Sequence, residues 1–196
     1  MAERFPVIKA KYSGPLHLVK KELTVPYGQD KIIFIDDCND LWAEPVPFAW
    51  IMQVLYHCDQ WPDNDYVFQT KNPGRYRQFV GLLPKRCVLG CTIETNRYII
   101  NDISRAPEPA ERMLAMEKLQ CRKFLTIEPI MDFDVDIMMF WIKRIMPDFV
   151  NLGADSKRNR LPEPTANKIM ELISALNTAG IELREKHNLQ RLKQKG

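Results

Sequence analysis

The stretch "KFLTIEPIMDFD", residues 123–134, decides how the chain folds. Phe124, Leu125, Thr126 and Ile127 form a short run of good strand formers that stops on an acid, Glu128, followed by Pro129. A run of this length closed by proline reads as a buried strand. A buried strand has no use for a carboxylate at its tip unless the tip faces something polar.

Five further segments share the design: "KIIFIDDCND" (31–40), "YVFQTKN" (66–72), "CVLGCTIETN" (87–96), "DFVNLGADS" (148–156) and "IELREKHN" (181–188). Each begins with β-branched, aromatic or aliphatic residues and ends in polar or charged ones. Helical patterns lie between them. "PVPFAWIMQVLYHC" puts Trp50, Ile51, Val54, Leu55 and Cys58 on one face, behind a first-turn Pro47. "PEPAERMLAMEKL" groups Met113, Met116 and Leu119, and "DVDIMMFWIKRIM" carries an apolar body behind Asp134 as N-cap. "EPTANKIMELISALNTAG" aligns Ile169, Leu172, Ile173 and Leu176 and ends at Gly180, a suitable C′ residue. "NPGRYRQFVGLLP" reads as a shorter helical piece.

Strand, helix, strand, helix implies βα units and a parallel sheet. No Gly-rich phosphate loop follows the first strand, so the sequence carries neither a P-loop nor a dinucleotide fingerprint. Every strand ends in chemistry-bearing residues, which fits strand tips gathered around one mouth. The expected fold class is therefore α/β: a partial (β/α) barrel of about six parallel strands with outer helices.

Period-two alternation assigns the faces. Leu125 and Ile127, Val150 and Leu152, Tyr66 and Phe68, and Ile181 and Leu183 fall on the apolar side. Gln69, Lys71, Thr92, Glu94, Thr126, Glu128, Asn151, Asp155, Arg184 and Lys186 fall on the other. A charged interior must be paired or bound to a ligand. Two interpretations follow: an internal salt-bridge network, or a cavity for a polar, zwitterionic or nucleotide-like ligand. Candidate substrate-binding residues are Lys71, Glu128, Asn151, Asp155 and Lys186, with Lys186 and Glu128 as candidate catalytic groups.

Composition narrows the class. The chain has 196 residues, 45% hydrophobic and 27% charged, as expected for one globular domain. That domain would span 1–196, with a helical or irregular lead-in over 1–30 and a solvated basic tail over 189–196. No apolar run approaches the ~18 residues of a membrane span. The sequence opens without a secretory signal, and five cysteines, an odd number, fit reduced thiols in the cytoplasm. Cys87 and Cys91 on one strand would stand ~13 Å apart, too far to share one ion, and read as packing residues. His17 and His57 fall in helical patterns as structural or surface residues, and His187 stands at a strand end.

"IIFIDDCNDLWAE", "YVFQTKNPGRY", "VLGCTIETNRY", "FLTIEPIMDFD", "FVNLGADSK" and "REKHNL", in that order, resemble a group of bacterial and phage proteins in the radical S-adenosylmethionine (SAM) superfamily. The resemblance covers nearly the whole chain. It implies a partial barrel that holds a [4Fe–4S] cluster and SAM, with reductive SAM cleavage giving a 5′-deoxyadenosyl radical that abstracts hydrogen from a substrate. It implies that Asp36, Asp37 and Asn39 contact the SAM amino group, and that Glu94 and Asn96 bind the ribose. Glu128, Asp155 and Lys186 would then line the substrate side.

The superfamily's C-x3-C-x2-C cluster motif is absent from this sequence, so no metal ligands are assigned and the chain as written does not hold the cluster. "MAERF" aligns just beyond the family's cluster loop, which makes the expected barrel N-terminally incomplete, by truncation or by loss. Expected partners are a small-molecule cofactor and a further substrate, with no membrane. Two other functions fit the residues: a metal-independent barrel enzyme using Lys71 or Lys186 with Glu94 or Glu128, and a non-enzymatic, phage-related interaction protein that binds nucleic acid through its basic tail.

Overall fold

A computed structural model of the chain describes residues 14–35, 39–98, 104–156 and 159–194. Asp36 and Asp37, assigned above to the SAM amino group, lie outside the described residues. The six anticipated strands are all present: β1 (Ile32–Ile35), β2 (Asp65–Thr70), β3 (Cys87–Thr92), β4 (Lys123–Ile127), β5 (Phe149–Leu152) and β6 (Glu182–Glu185). Five α-helices connect or follow them: α1 (Phe48–Asp59), α2 (Pro109–Glu117), α3 (Val135–Ile145), α4 (Ala166–Thr178) and the four-residue α5 (Gln190–Lys193). The "NPGRYRQFVGLLP" segment forms two 3-10 pieces, Pro73–Gln78 and Val80–Leu82, in place of a longer helix. Among the described residues, no helix is long and apolar enough to cross a membrane.

All six strands are parallel, and their order in the sheet is their order in the chain. Right-handed crossovers between successive parallel strands place every connecting helix on the same face. The packing agrees. Ile33, Ile35, Tyr66, Phe68, Leu89, Cys91, Leu125, Ile127, Val150 and Leu152, which share one side of the pleat, join the helical residues Ile51, Leu55, Met116, Ile142 and Leu172 in one core. The protein is thus an α/β structure with a six-stranded parallel sheet and surrounding helices. The sheet is open: β1 and β6 are its two edges and do not pair with each other.

Local chemistry fixes the ends of these elements. Glu108 and Glu111 form a reciprocal capping box at the start of α2. Lys123 at the base of β4 turns its ammonium onto the terminal carbonyls of that helix, Met116 O at 3.3 Å and Leu119 O at 2.9 Å. Burial holds that ammonium below the ordinary lysine value. Thr165 caps α4 by accepting from the Lys168 N–H, and Gly180 at φ 67° turns the chain out of it. Asp134 occupies the anticipated N-cap position of α3 but makes no side-chain cap bond, because Arg97 binds its carboxylate. Trp42 is fully buried and meets Phe68, Tyr76 and Phe79 edge-on, which locks the β1–α1 connection against β2.

The C-terminal segment departs from a solvated tail. Leu189 and Leu192 are buried, Arg191 pairs with Glu163, and Lys193 pairs with Glu185 at 2.6 Å. Arg191 and Lys193 thus anchor a docked turn. His17 also lies outside any helix, while His57 is buried near the end of α1 and bonds Val25 O through Nε2 at 3.0 Å.

On the face opposite the helices, the Phe124 ring lies across Gly90, its register partner in β3, and stacks on Phe149 with ring centroids 4.9 Å apart. A Cβ at Gly90 would stand 2.1 Å from the Phe124 ring. Held by Phe149 and almost wholly buried, that ring has no easy retreat. Gly90→Ala is expected to destabilise the fold by about 1–3 kcal/mol through overpacking, measured as a lowered urea midpoint with an unchanged slope. Unaltered stability would show that the ring does not lie on the β3 backbone.

Candidate functional site

Once one face of the sheet is taken by helices, the remaining side chains can meet a ligand only on the other face or at the strand tips. The lower half of that other face is apolar, built by Val67, Val88, Phe124 and Phe149, with the Arg184 guanidinium 3.4 Å above the Phe149 ring centroid. The upper half is polar and continuous. Gln69 Nε2 donates to Thr92 Oγ1 at 2.9 Å, Thr126 Oγ1 donates to Gln69 Oε1 at 3.3 Å, and Asn151 Nδ2 donates to Thr126 Oγ1 at 3.2 Å. These four side chains, one from each of β2 to β5, form a row of amides and hydroxyls across the sheet. All four fall on the side that alternation assigned as polar.

Beyond the row, at the carboxyl ends of the strands, the anticipated charges sit in pairs. Glu94 is buried and has a counter-ion on each oxygen: Lys71 on Oε1 and the fully buried Arg112 on Oε2 at 2.7 Å. Arg112 also donates to Thr92 O at 3.0 Å and Pro107 O at 2.5 Å, so α2 is bolted to the tip of β3. Glu94, for which the resemblance implied ribose binding, thus has both oxygens engaged by the fold. Its second oxygen is claimed by an arginine 18 residues away. Lys71 keeps a 40% exposed side chain despite its ion pair.

Asn96, the other ribose candidate, is likewise engaged in the fold. Its amide donates to Asp134 O at 2.6 Å and its oxygen accepts from Asp134 N at 3.0 Å. Arg97 binds both Asp132 and Asp134, and Lys168 reaches Asp132 at 2.7 Å. The loop after β4 is thus clamped to the loop after β3. Burial opposes ionisation of Asp132, but Lys168 and Arg97 outweigh it and hold the carboxyl below its ordinary value.

Glu128 stands at the tip of β4, as the opening stretch implied. Its Oε1 accepts from Asn188 Nδ2 at 2.9 Å, and its Oε2 lies 3.4 Å from Lys186 Nζ. Asn188 is itself fixed by two bonds to Ala154, donating to its carbonyl at 2.7 Å and accepting from its N–H at 3.1 Å. Asp155 is buried and accepts from the backbone and side-chain amides of Asn159. Asn39 is exposed and borders a cavity of about 610 Å³ beside β1, lined also by Leu16, Leu18, Ile33, Leu41 and Trp50. That cavity has a mixed lining, with Glu22 and Asp40 beside its apolar residues, and none of the four row residues lines it.

Three participants were missed by the sequence reading: Arg112, Asn188 and Asp40. Asp40 accepts from Thr70 Oγ1 at 2.7 Å, Lys71 N at 2.9 Å and Trp42 N at 3.0 Å, and so sets the β2 tip that carries Lys71.

A [4Fe–4S] cluster needs closely spaced thiolates. Cys58 and Cys91 are buried within the core; burial pushes the Cys58 thiol up to about 12 and Cys91 further still, and raises Cys87 to about 11. No group of three or more His, Cys, Asp or Glu suited to a metal occurs among the described residues. These cysteines do not fit the cluster.

Fold and site together define an α/β protein whose open parallel sheet displays a hydrogen-bonded polar row below a rim of ion pairs. The chain belongs to the family described as "Protein of unknown function (DUF5131)", whose model matches residues 2–159. No curated protein and no solved structure matches it.

Removing Arg112 would leave the buried Glu94 with Lys71 as its remaining counter-ion. Arg112→Met is expected to cost about 3–5 kcal/mol in urea unfolding, and adding Glu94→Gln is expected to recover part of that loss. Equal stability of Arg112→Met and wild type would remove the buried pair from the account.

Proposed function

We propose that this chain is the ligand-binding part of a radical SAM-like protein. On this proposal the sheet is a portion of a β/α barrel, and the polar row with its rim is where S-adenosylmethionine or a related nucleoside binds. The observation that carries the proposal is the Gln69–Thr92–Thr126–Asn151 row, four neutral hydrogen-bonding groups drawn from consecutive strands on the face opposite the helices, with Thr92 and Thr126 buried and Gln69 and Asn151 partly exposed. A small polar molecule is held by such convergent groups on rigid strands more readily than by loops.

The ordered succession of six resembling motifs supports the radical SAM assignment. The sequential parallel order supports the barrel assignment, since one-sided helices are the arrangement of a β/α barrel. The edge strand β1 adds to this: Ile32 is 78% exposed and Phe34 42%. An apolar, uncharged sheet edge is one that native proteins usually cover.

Because the described cysteines do not fit a cluster, the activity proposed for these residues is binding and orientation, with no radical step assigned to them. The lysine-based alternatives have less support: Lys71 is held by Glu94, and Lys186 is paired with Glu128.

Calorimetric titration of the full chain with S-adenosylmethionine tests the proposal. Saturable binding is expected, weakened about tenfold by Gln69→Leu and by Thr126→Val, as for loss of one hydrogen-bonding group. Absence of binding, or equal affinity in both variants, would reject the row as the nucleoside site.

A further inference from the structure

The Glu128 corner holds more specific geometry than a surface ion pair requires. Gly153, at the end of β5, lies directly beneath the Glu128 carboxylate. A Cβ there would stand 2.8 Å from the Glu128 carboxyl carbon and from Oε1, and 3.0 Å from Lys186 Cγ. Gly153 has no positive φ, so the backbone does not call for glycine. The missing side chain is explained by the carboxylate that fills its space.

Asn188 completes the mounting. It binds Glu128 Oε1 while both its own amide groups are tied to Ala154, the residue after Gly153. Strands β4 and β5 and the turn after β6 therefore all act on a single carboxylate. One oxygen is engaged by Asn188. The other faces Lys186 at 3.4 Å, a looser approach than the 2.7 Å of Lys168 on Asp132. The Lys186 side chain is 52% exposed and that of Glu128 25%, so the pair is open to water and to solutes.

An anchored carboxylate beside a loosely held ammonium is complementary to a molecule carrying an ammonium and a carboxylate on one carbon. We infer that this corner binds the α-amino acid head of a ligand, with Glu128 Oε2 accepting from the ligand ammonium and Lys186 holding the ligand carboxylate. The inserted head replaces one solvent-exposed, stretched ion pair by two closer ones. Each partner keeps its counter-charge, so neither is left desolvated and alone. The inference rests on the reading that the strand tips bind a small molecule, but it does not require that molecule to be a nucleoside. Gly153 and Asn188 act as positioning residues, because they touch Glu128 and not the ligand.

The test uses the isotope-labelled full chain and follows the Asn188 side-chain amide by NMR, since that group reports on Glu128. Three probes are titrated: L-alanine, L-alaninamide, which lacks the carboxylate, and N-acetyl-L-alanine, which lacks the ammonium. A saturable shift is expected with L-alanine, and responses at least about tenfold weaker with the other two. Lys186→Met is expected to abolish the L-alanine response while leaving the spectrum dispersed. Gly153→Ala is expected to do the same, because the atom it displaces is the far end of a flexible side chain.

No saturable shift with L-alanine, an equal shift with L-alaninamide, or an undiminished response in Lys186→Met overturns the inference. S-adenosylmethionine binding that depends on Gln69 and Thr126 without any L-alanine response rejects the amino-acid corner and leaves the nucleoside reading standing. The converse result rejects the nucleoside reading and leaves the corner.

Discussion

The structure depends on one constraint: six parallel strands in sequential order, with every connecting helix forced to the same side. That side takes up the apolar alternate of each strand, from Tyr66 and Phe68 through Leu89 and Cys91 to Val150 and Leu152. The opposite alternate is left for other uses. Its lower half is closed by the Phe124–Phe149 stack under Arg184, and its upper half is given to the amide and hydroxyl row. The polar surface is thus a consequence of topology. The same two-residue period that buries Leu125 and Ile127 directs Thr126 the other way.

The charges at the strand tips divide into two kinds. Glu94, Arg112 and Lys71 are architectural, because burial of Glu94 obliges the fold to supply counter-ions. Asn96 and the Arg97–Asp132–Lys168 set likewise hold loops together. Glu128 and Lys186 differ in their longer 3.4 Å contact and in the glycine that leaves room for the carboxylate. That combination is the basis of the amino-acid corner proposed above. A purely structural ion pair gains nothing from an open, stretched geometry.

The strands, their faces and the helix stripes were legible because each depends on local period. Leu125 against Thr126, or Val150 against Asn151, needs no knowledge of the rest of the chain. The partner of a charge was not legible. Arg112 sits one residue from Met113 in a helix and reads as a surface residue, but it is the buried counter-ion of Glu94. Asn188 gave no signal at all, since its role appears only when the end of the chain meets the tips of β4 and β5. The terminal "RLKQKG" was read as a solvated tail from its charge, while Leu189 and Leu192, the residues that dock it, were too few to show a period. Gly153 could have been singled out as a glycine in a strand-end motif, but the reason for it is a carboxylate 25 positions earlier in the chain, whose reach no spacing rule predicts.

The central claim, that the sheet has one face sealed by helices and one carrying a polar row whose Gln69 and Asn151 members are partly exposed, is tested most directly by comparing thiol reactivity at adjacent positions of one strand. Cysteine placed at Asn151 is predicted to react with a small alkylating reagent under native conditions, while cysteine at Val150 stays protected until the protein unfolds. Equal protection at both positions, or faster reaction at 150, would contradict the account.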